Sequence, residues 1–289
     1  MKSAIQKELR VLVKARDEVQ ALRKRFDNRM GKKADGTDQN VDAEARAIES
    51  MEVVEVLNSI SENTRDQERK IEKTLAKALK SVPIYTEWIK KQKGVGPVSA
   101  GWILAEFDIH IADSVSKLWQ YAGVNPGLVP GKKSVKKKDY KPAMGQIIQE
   151  SEFKGEKQYI VLTDEFVRGD RLTPGFVSPF NKRLKTALMG VLASSFIKSR
   201  APYRTNFYDP YKERLKNEES PICNPDEKRV RKDDGKQWKD VSDGHRDMAA
   251  RRYMIKMFLK DLYVAWREIE GLPVRVPYAE EYLGKRHAA

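Results

Sequence analysis

Cysteine, histidine and long apolar runs are all scarce in this 289-residue sequence, and each scarcity excludes a class of protein. The single cysteine, Cys223, excludes a disulfide-stapled secreted scaffold. With only three scattered histidines, a Cys/His zinc site is excluded too, and we expect neither a metal nor a cofactor. The longest stretch without a charged residue, Leu118–Gly131, is too short to cross a bilayer, and no charged-then-apolar leader opens the chain. These absences predict a soluble cytoplasmic protein with no membrane partner.

Positive charge is in excess, and most of the excess lies in the second part of the chain. Fifty-six Lys and Arg oppose 42 Asp and Glu, which gives a formal net charge of +14. Residues 1–92 carry 20 basic and 16 acidic side chains, a net of +4, whereas residues 93–289 carry 36 and 26, a net of +10. We therefore expect an anionic partner on residues 93–289.

Residues 1–82 are predicted to form a helical arm. Apolar side chains recur every seven residues along its first helix: Ile5, Leu12, Val19 and Phe26. A second heptad repeat, which we call the alternate seam, begins with Leu9 and ends with Met30. Arg16 and Arg23 occupy its two middle positions. A loop over 31–39 precedes a second helix that starts near Asp42. An antiparallel hairpin or a coiled-coil dimer arm fits this pattern, as do two helices packed on the rest of the chain; we expect homo-oligomers through this arm.

Residues 83–289 are predicted to be mainly α, with one small β-hairpin insertion. We expect helices over 84–92, 98–107, 114–121, 181–198, 202–215 and 245–270. The β-prone segments 146–149 and 158–163, separated by Gly155, predict the hairpin. Residues 127–144 are expected to be a basic loop and residues 217–243 a flexible one.

The most specific local signal is Gly94-Val95-Gly96, placed between two short helices and followed by Pro97. Glycines allow backbone conformations that a side chain forbids, and proline suits the first turn of the next helix. Free amides at a helix start attract phosphate. These features predict a helix-hairpin-helix that binds a nucleic-acid backbone without reading sequence. The expected contacts are Lys91, Lys93, Gly94, Val95, Gly96 and Ser99.

Basic clusters elsewhere are candidate phosphate contacts. The densest, which we call the lysine strip, comprises Lys132, Lys133, Lys136, Lys137, Lys138 and Lys141. A second, at a predicted helix start, comprises Lys182, Arg183 and Lys185. A third, over 228–232, is diluted by neighbouring acidic residues. The aromatic residues Trp102, Trp119, Tyr121 and Trp266 are expected to lie in the core rather than to stack on bases.

The sequence gives fewer indications of catalysis than of nucleic-acid binding. Asp164, Glu165 and Asp170 are close in sequence, but we expect them on a strand edge and loop, as in the common acidic surface turns, rather than converging on metal ions. Ser134, surrounded by lysines, is a candidate nucleophile, although no histidine or carboxylate adjoins it in sequence to activate it.

Four segments, taken in order, resemble the C-terminal half of the bridge-RNA-guided insertion-sequence transposases. These are Gly94–Phe107, Leu118–Pro126, Asn181–Leu188 and the late basic helix Asp243–Arg252. That family combines a RuvC-like DEDD domain, a coiled coil and a helix-hairpin-helix domain. The resemblance covers roughly residues 84–270, with insertions, and implies nucleic-acid binding; residues 1–82 look like the family's coiled-coil connector.

The departures from that family concern its catalytic parts. Nothing in the sequence resembles the RuvC-like domain, so its acidic quartet is missing. The family's nucleophilic serine lies in a Ser-Gly pair, and Ser134, the nearest counterpart, is followed by Val135. We therefore expect a DNA-binding protein related to transposases, from a bacterium or its phage, that engages double-stranded or branched DNA. The alternatives are a recombinase subunit that uses Ser134 with a partner's metal site, a structured-RNA-binding protein, and a scaffold that binds no nucleic acid.

Overall fold

The computed structural model describes residues 4–30, 51–141, 148–153, 155–222, 233 and 235–275. It is mainly helical and contains one small antiparallel sheet, as the sequence predicted. The chain divides into two compact units, residues 1–91 with 96–108, and residues 92–95 with 109–289. The predicted loop over 31–39 and the basic cluster over 228–232 lie outside the described residues. None of the described helices is long and apolar enough to cross a bilayer.

The first unit contains a helical hairpin. Its helices are α1 (Ala4–Arg29), α2 (Met51–Leu79), α3 (Pro83–Glu87) and α4 (Pro97–Glu106), with a 3-10 turn at Ile89–Lys91. Arg16 pairs with Glu72, whereas Asp27, further along α1, bonds Ser61, which is earlier in α2. As the chain advances along α1, its partners lie earlier and earlier in α2, so the two helices are antiparallel.

The seam between α1 and α2 is apolar at one end and polar at the other. Leu9 and Val13 of α1 and Leu75 and Leu79 of α2 are fully buried. Towards the other end, the buried side chains are charged or polar: Arg23, Asp27, Ser61 and Glu68. Arg23 donates from Nε to Glu68 at 2.9 Å and from Nη1 to Asp27 at 2.7 Å. Ser61 donates to the second oxygen of Asp27 at 2.5 Å. Each of these buried charges thus has a partner, which such burial requires.

The alternate heptad seam, rather than the apolar one, faces the partner helix. Leu9 and Arg23 are buried, whereas the heptad repeats Ile5, Leu12, Val19 and Phe26 are only half-buried. The arginines that interrupt the alternate seam are matched by acidic residues in the polar part of α2. Ion pairing therefore outweighs the apolar repeat in setting the rotation of α1.

The second unit is organised around the long helix α9. Its helices are α5 (Val115–Tyr121), α6 (Lys182–Thr186), α7 (Ala193–Ser199), α8 (Asp209–Lys216) and α9 (Asp243–Ile269). Wider π turns at Ala187–Leu192 and Arg204–Tyr208 join α6 to α7 and lead into α8. Phe258 of α9 meets Phe196 and Tyr203 edge-on, each at 5.4 Å between ring centroids. The predicted helices over 114–121, 181–198, 202–215 and 245–270 are confirmed within a few residues.

The core holds three of the four aromatic residues that we expected there. Trp102, Trp119 and Trp266 are buried, and Trp119 donates from its indole to the carbonyl of Lys256 at 3.0 Å. Tyr121 is the exception, because 39% of it is exposed and it lies at the end of α5. The prediction for Tyr121 was therefore wrong.

The sheet has three strands rather than the two predicted. They are β1 (Leu128–Lys136), β2 (Ile148–Phe153) and β3 (Glu156–Arg168), in the order β1-β3-β2 with all pairs antiparallel. The predicted hairpin is the β2–β3 pair, with Gly155 in its turn. In the predicted flexible segment 217–243, the described residues include a bridge between Pro221 and Gln237 and a 3-10 turn at Trp238–Asp240.

Acid should destabilise the α1–α2 hairpin as Asp27 takes up a proton. Burial alone would raise the pKa of Asp27, but hydrogen bonds from Ser61 and Arg23 and the charge of Arg65 outweigh it, so this pKa lies below its usual value. The unfolded chain binds the proton first as pH falls. The stabilisation is therefore complete above about pH 4 and is lost as pH falls through the folded-state pKa. Asp27→Asn should cost on the order of 3 kcal/mol at pH 7 and flatten this dependence, measured by urea unfolding from pH 2 to 7.

Asp66→Asn is the matched control. Asp66 also lies on a hairpin helix and pairs with an arginine, Arg69, at 3.1 Å, but both side chains are well exposed. Such a pair contributes at most about 1 kcal/mol. Equal losses and equal pH profiles for the two variants would show that the buried cluster does not stabilise the hairpin.

Candidate nucleic-acid interface

The lysine strip lies on a strand, not in the loop that we predicted. Lys132, Lys133 and Lys136 belong to β1, Lys137 and Lys138 to a 3-10 turn directly after it, and Lys141 follows at the end of the described stretch. β1 is an edge strand, hydrogen-bonded only to β3 among the described strands. Lysines are common on edge strands because they discourage pairing with another chain. A loop would have left these lysines mobile, whereas the strand holds their backbone in a fixed register.

Three lysines of the strip are engaged by glutamates. Lys133 pairs with Glu165 at 2.7 Å, Lys136 with Glu156 at 3.0 Å and Lys137 with Glu150 at 2.9 Å. The hydrogen bond between Lys137 and Glu150 raises the pKa of the lysine and lowers that of the glutamate. These three pairs are well exposed, so each contributes little to stability. Their positive charge is nevertheless largely offset at short range.

The other three lysines of the strip are exposed and have no carboxylate partner among the described residues: Lys132, Lys138 and Lys141. Lys136, Lys137 and Lys138, with Lys157 and Glu156, also line a shallow open depression. The strip is therefore two sets of three lysines, one paired and one unpaired. Only the unpaired set presents charge that an external anion can neutralise without displacing a glutamate.

The glycine bend has one glycine that the fold requires. Gly94 has a φ of +92°, which L side chains rarely adopt, and its carbonyl accepts a hydrogen bond from Ser195 at 2.7 Å. A Cβ at this position would lie 2.8 Å from the ring of Phe196 and 2.9 Å from the hydroxyl of Ser199. Both the backbone and the packing on α7 therefore explain Gly94.

Neither the backbone nor packing explains Gly96. Its φ of −84° suits any residue, it is exposed, and no heavy atom of the described chain lies within 4 Å of the place where a Cβ would stand. It is the N-cap of α4 and supplies no side-chain cap. The first amides of α4, on Val98 and Ser99, have no acceptor within the helix. Serine or aspartate would be the usual choice here, so a bare glycine leaves these amides open to an outside anion.

The remaining predicted contacts at the bend are divided between surface and interior. Lys91 and Lys93 are exposed, in agreement with a surface role. Val95 is half-buried, and its amide donates to Gln92 at 3.1 Å, so that amide is not available to a phosphate. Ser99 is buried, with 8% of the residue exposed, so it is the least accessible of the predicted contacts.

The second predicted cluster also splits. Lys182 and Arg183 are exposed at the start of α6, where Asn181 caps the helix through a bond to the amide of Leu184 at 3.0 Å. Lys185 instead points inwards, donates to the backbone carbonyl of Asp170 and lies 4.6 Å from the centroid of the Phe180 ring. It joins Arg168, Arg171, Arg252 and Lys256, which sequence reasoning missed. Their only sequence signal was the flanking of Asp170 by two arginines.

The candidate catalytic residues are not assembled into an active site. Ser134 lies on the exposed face of β1 and donates to the side-chain carbonyl of Gln158, a neutral group that is a poor general base. Asp164 and Glu165 are exposed as expected, but Asp170 is 7% exposed, so its placement in a surface turn was wrong. In the described part of the chain, no three His, Cys, Asp or Glu side chains are grouped so that they could hold a metal ion.

Comparison with models of protein families, with curated proteins and with solved structures found no match to this chain.

The two glycines should respond oppositely to the same substitution. Gly94→Ser forces a side chain into a left-handed conformation and against Phe196, and should cost at least about 1–2 kcal/mol. Gly96→Ser meets open space and adds a favourable N-cap, so the free energy of unfolding should hold or rise by up to about 1 kcal/mol. Thermal and urea unfolding of the two variants would measure this, and equal losses would mean that Gly96 is also required by the fold.

Proposed function

We propose that this protein binds nucleic acid, most favourably double-stranded or branched DNA, through the phosphate backbone. The observation that carries the proposal is the set of three exposed, unpaired lysines at β1 and just after it. The neighbouring lysines are matched by glutamates, so this set is the part of the strip whose charge is available to an outside polyanion. Phosphates at the spacing of a polynucleotide are the natural ligands of such a strip.

The bare N-cap of α4 supports the same partner. An exposed glycine with no conformational or packing role is expected where another backbone approaches closely. Contacts of this kind go to phosphate and sugar rather than to base edges, so little sequence preference is expected. This reading agrees with the resemblance to the helix-hairpin-helix half of the transposases.

The proposed role is recombination, repair or another mobile-element transaction, without strand chemistry by this chain itself. The hydrogen bond of Ser134 to a neutral amide favours this over a recombinase subunit. A bacterial or phage-infected cytoplasm is the compartment that such a role implies.

We further propose that the helices of the first unit mediate self-association. Apolar side chains remain exposed on both helices of the hairpin: Val11, Leu22, Val53, Val54 and Val56. The heptad residues Ile5, Leu12, Val19 and Phe26, half-buried in the single chain, would add to that surface. A second copy of the same hairpin would cover this face and present two sets of lysines to one duplex.

Neutralising the unpaired set should weaken the salt dependence of duplex binding. If all three lysines touch phosphate, Lys132→Gln, Lys138→Gln and Lys141→Gln together should flatten the slope of log K against log salt by about 2–3. Fluorescence anisotropy with a labelled duplex over a range of salt concentrations would measure the slope. A folded-RNA competitor in the same assay would show whether duplex DNA is the preferred partner.

The paired set provides the control. Lys133→Gln, Lys136→Gln and Lys137→Gln remove the same charge from the same segment but from lysines already engaged by glutamates. We expect a clearly smaller change in slope. If the two triple variants behave alike, only overall charge matters and the strip is not a specific interface; if neither changes binding, the strip is not the site.

Gly96→Glu should abolish duplex binding while the protein keeps its helical content. A carboxylate at the N-cap would accept hydrogen bonds from the amides that we assign to phosphate. Its negative charge would also repel the phosphate. Circular dichroism and anisotropy on one preparation separate the two effects. Lys80→Glu, a charge reversal of an exposed lysine beyond the end of α2, controls for charge alone. Full binding by Gly96→Glu would remove the helix start from the interface.

A further inference from the structure

Basic side chains converge on Asp170, just past the end of β3 in the second unit. Arg168, Lys185 and Arg252 all contact Asp170, although they come from β3, α6 and α9. The charge of Arg171 acts on Arg252, and that of Arg252 acts on Lys256. Three cations thus contact one acidic residue, and two more lie close to Arg252. None of these five belongs to the lysine strip or to the glycine bend.

Arg168 alone satisfies the carboxylate. Its Nε donates to Oδ1 at 2.8 Å and its Nη2 to Oδ2 at 3.1 Å, a two-point pair in which both residues are at least 93% buried. Paired arginine and carboxylate planes are among the strongest ionic contacts in proteins. Asp170 therefore has little capacity left to neutralise the cations around it.

The other cations have weak partners. Arg252 reaches Oδ2 of Asp170 at 3.4 Å, its one ion pair among the described residues, which leaves most of its donors unused. Lys185 has a backbone carbonyl and the Phe180 ring, and Lys256 has the Trp119 ring at 4.1 Å. Carbonyls and rings attract a cation but carry no compensating charge. A half-buried charge in this situation is costly unless an anion joins it.

The electrostatics agree with that geometry. Burial, and then the charges of Arg252, Arg168 and Arg171, lower the pKa of Lys185, although Asp170 opposes the shift. Burial and the charge of Arg252 lower the pKa of Lys256 as well. Both lysines hold their protons less firmly than lysines on the surface, first because they are partly buried and then because neighbouring arginines repel their charge.

Packing alone does not account for the cluster. Arg168 alone is enough to hold the turn at Asp170. Apolar side chains in place of Lys185 and Arg252 would pack α6 and α9 against this turn without any repulsion between charges. Arg171, Lys185 and Arg252 are partly exposed, with 31% of the Arg252 side chain accessible, so the cluster opens to solvent. Guanidinium groups match the tetrahedral face of phosphate, which makes phosphate the best candidate anion.

We propose that Arg171, Lys185 and Arg252 bind a dianionic phosphate group, with Arg168 and Asp170 holding the site in position. A phosphomonoester carries up to two negative charges and is attached on one side only, so it can enter the cluster end-on. A phosphodiester carries one negative charge and has the strand attached on both sides. The source of the group is either the terminal phosphate of a nucleic-acid strand or a free phosphate such as that of a nucleotide. The site goes beyond the backbone contacts proposed above and does not depend on them.

Inorganic phosphate tests the site directly in the full chain. At constant pH and ionic strength, replacing chloride by phosphate should raise the melting temperature saturably, by about 5 °C at a hundredfold excess over Kd. Arg252→Gln and Lys185→Gln should abolish this rise, and without phosphate Arg252→Gln should melt no lower than the parent because it removes repulsion. Lys198→Gln, which removes an exposed lysine of α7 that belongs to no candidate site, should keep the full response.

The inference is overturned if phosphate and chloride act alike, or if Lys198→Gln loses the response together with the other two variants. The site can also be tested in the parent protein, without any substitution. In the parent protein, phosphate should raise the pKa of Lys185, followed by NMR of its Cε–H signals. An unchanged pKa in saturating phosphate would also exclude the site.

Oligonucleotides then identify the source. A duplex with 5′-phosphates should bind at least about tenfold more tightly than the same duplex with 5′-hydroxyls if strand ends are the ligand, and Arg252→Gln should erase the difference. Equal affinities with an intact response to inorganic phosphate would exclude strand ends and assign the site to free phosphate. If phosphate responds but no duplex binds, the proposed function fails and this site stands; if duplexes bind and phosphate has no effect, the reverse holds.

Discussion

Pairing of buried charge is the constraint on which the first unit depends. Arg16 and Arg23 lie on the α1 seam, where apolar side chains would be expected, and both reach Glu68 of α2. A buried arginine without such a partner would cost several kcal/mol. The polar stretch of α2 is therefore not a weak point in the hairpin but the complement of the arginines in α1. The positions of the charges also fix which faces meet and in which register.

The second unit applies the same constraint differently. In the hairpin each buried arginine meets at least one carboxylate, whereas three cations gather at the single acidic residue Asp170. The strip shows an intermediate case, with three lysines matched and three left open. Among the described residues, the strip and the Asp170 cluster, where cations outnumber their carboxylate partners, both lie in the second unit, and an external anion could supply the balance there.

Sequence periodicity located most of the helices because their apolar faces repeat without long interruptions. It failed for β1, since Lys132, Lys136 and their neighbours give an edge strand hardly any apolar alternation, and six lysines within ten positions suggest a solvated loop. It took both heptad positions of α1 as one stripe and could not tell which of them faces α2, because a count of apolar residues takes no account of arginines matched by distant glutamates. The burial of Asp170 depends on Arg168, Lys185 and Arg252, which lie up to 84 positions apart, and no local pattern reports that convergence.

The candidate site was predicted only in part for a related reason. The sequence identified both glycines of the bend but could not tell their roles apart, since the distinction depends on what surrounds each backbone atom. Glycine is required at position 94 by the backbone conformation there and by the ring of Phe196, a residue far away in the chain. Gly96 has no such requirement, and its openness appears only when the space around it is known.

The two kinds of cationic surface should also differ in their response to salt. Charges on the exposed strip are screened within a Debye length of about 8 Å at physiological ionic strength, so their attraction for a polynucleotide is long-ranged but easily weakened. Charges drawn partly into the protein beside Asp170 are screened less, and their donors are already oriented by the strand and the two helices that carry them. The strip is therefore suited to capturing a polyanion at any point along its length, whereas the cluster is suited to retaining one phosphate once it has entered.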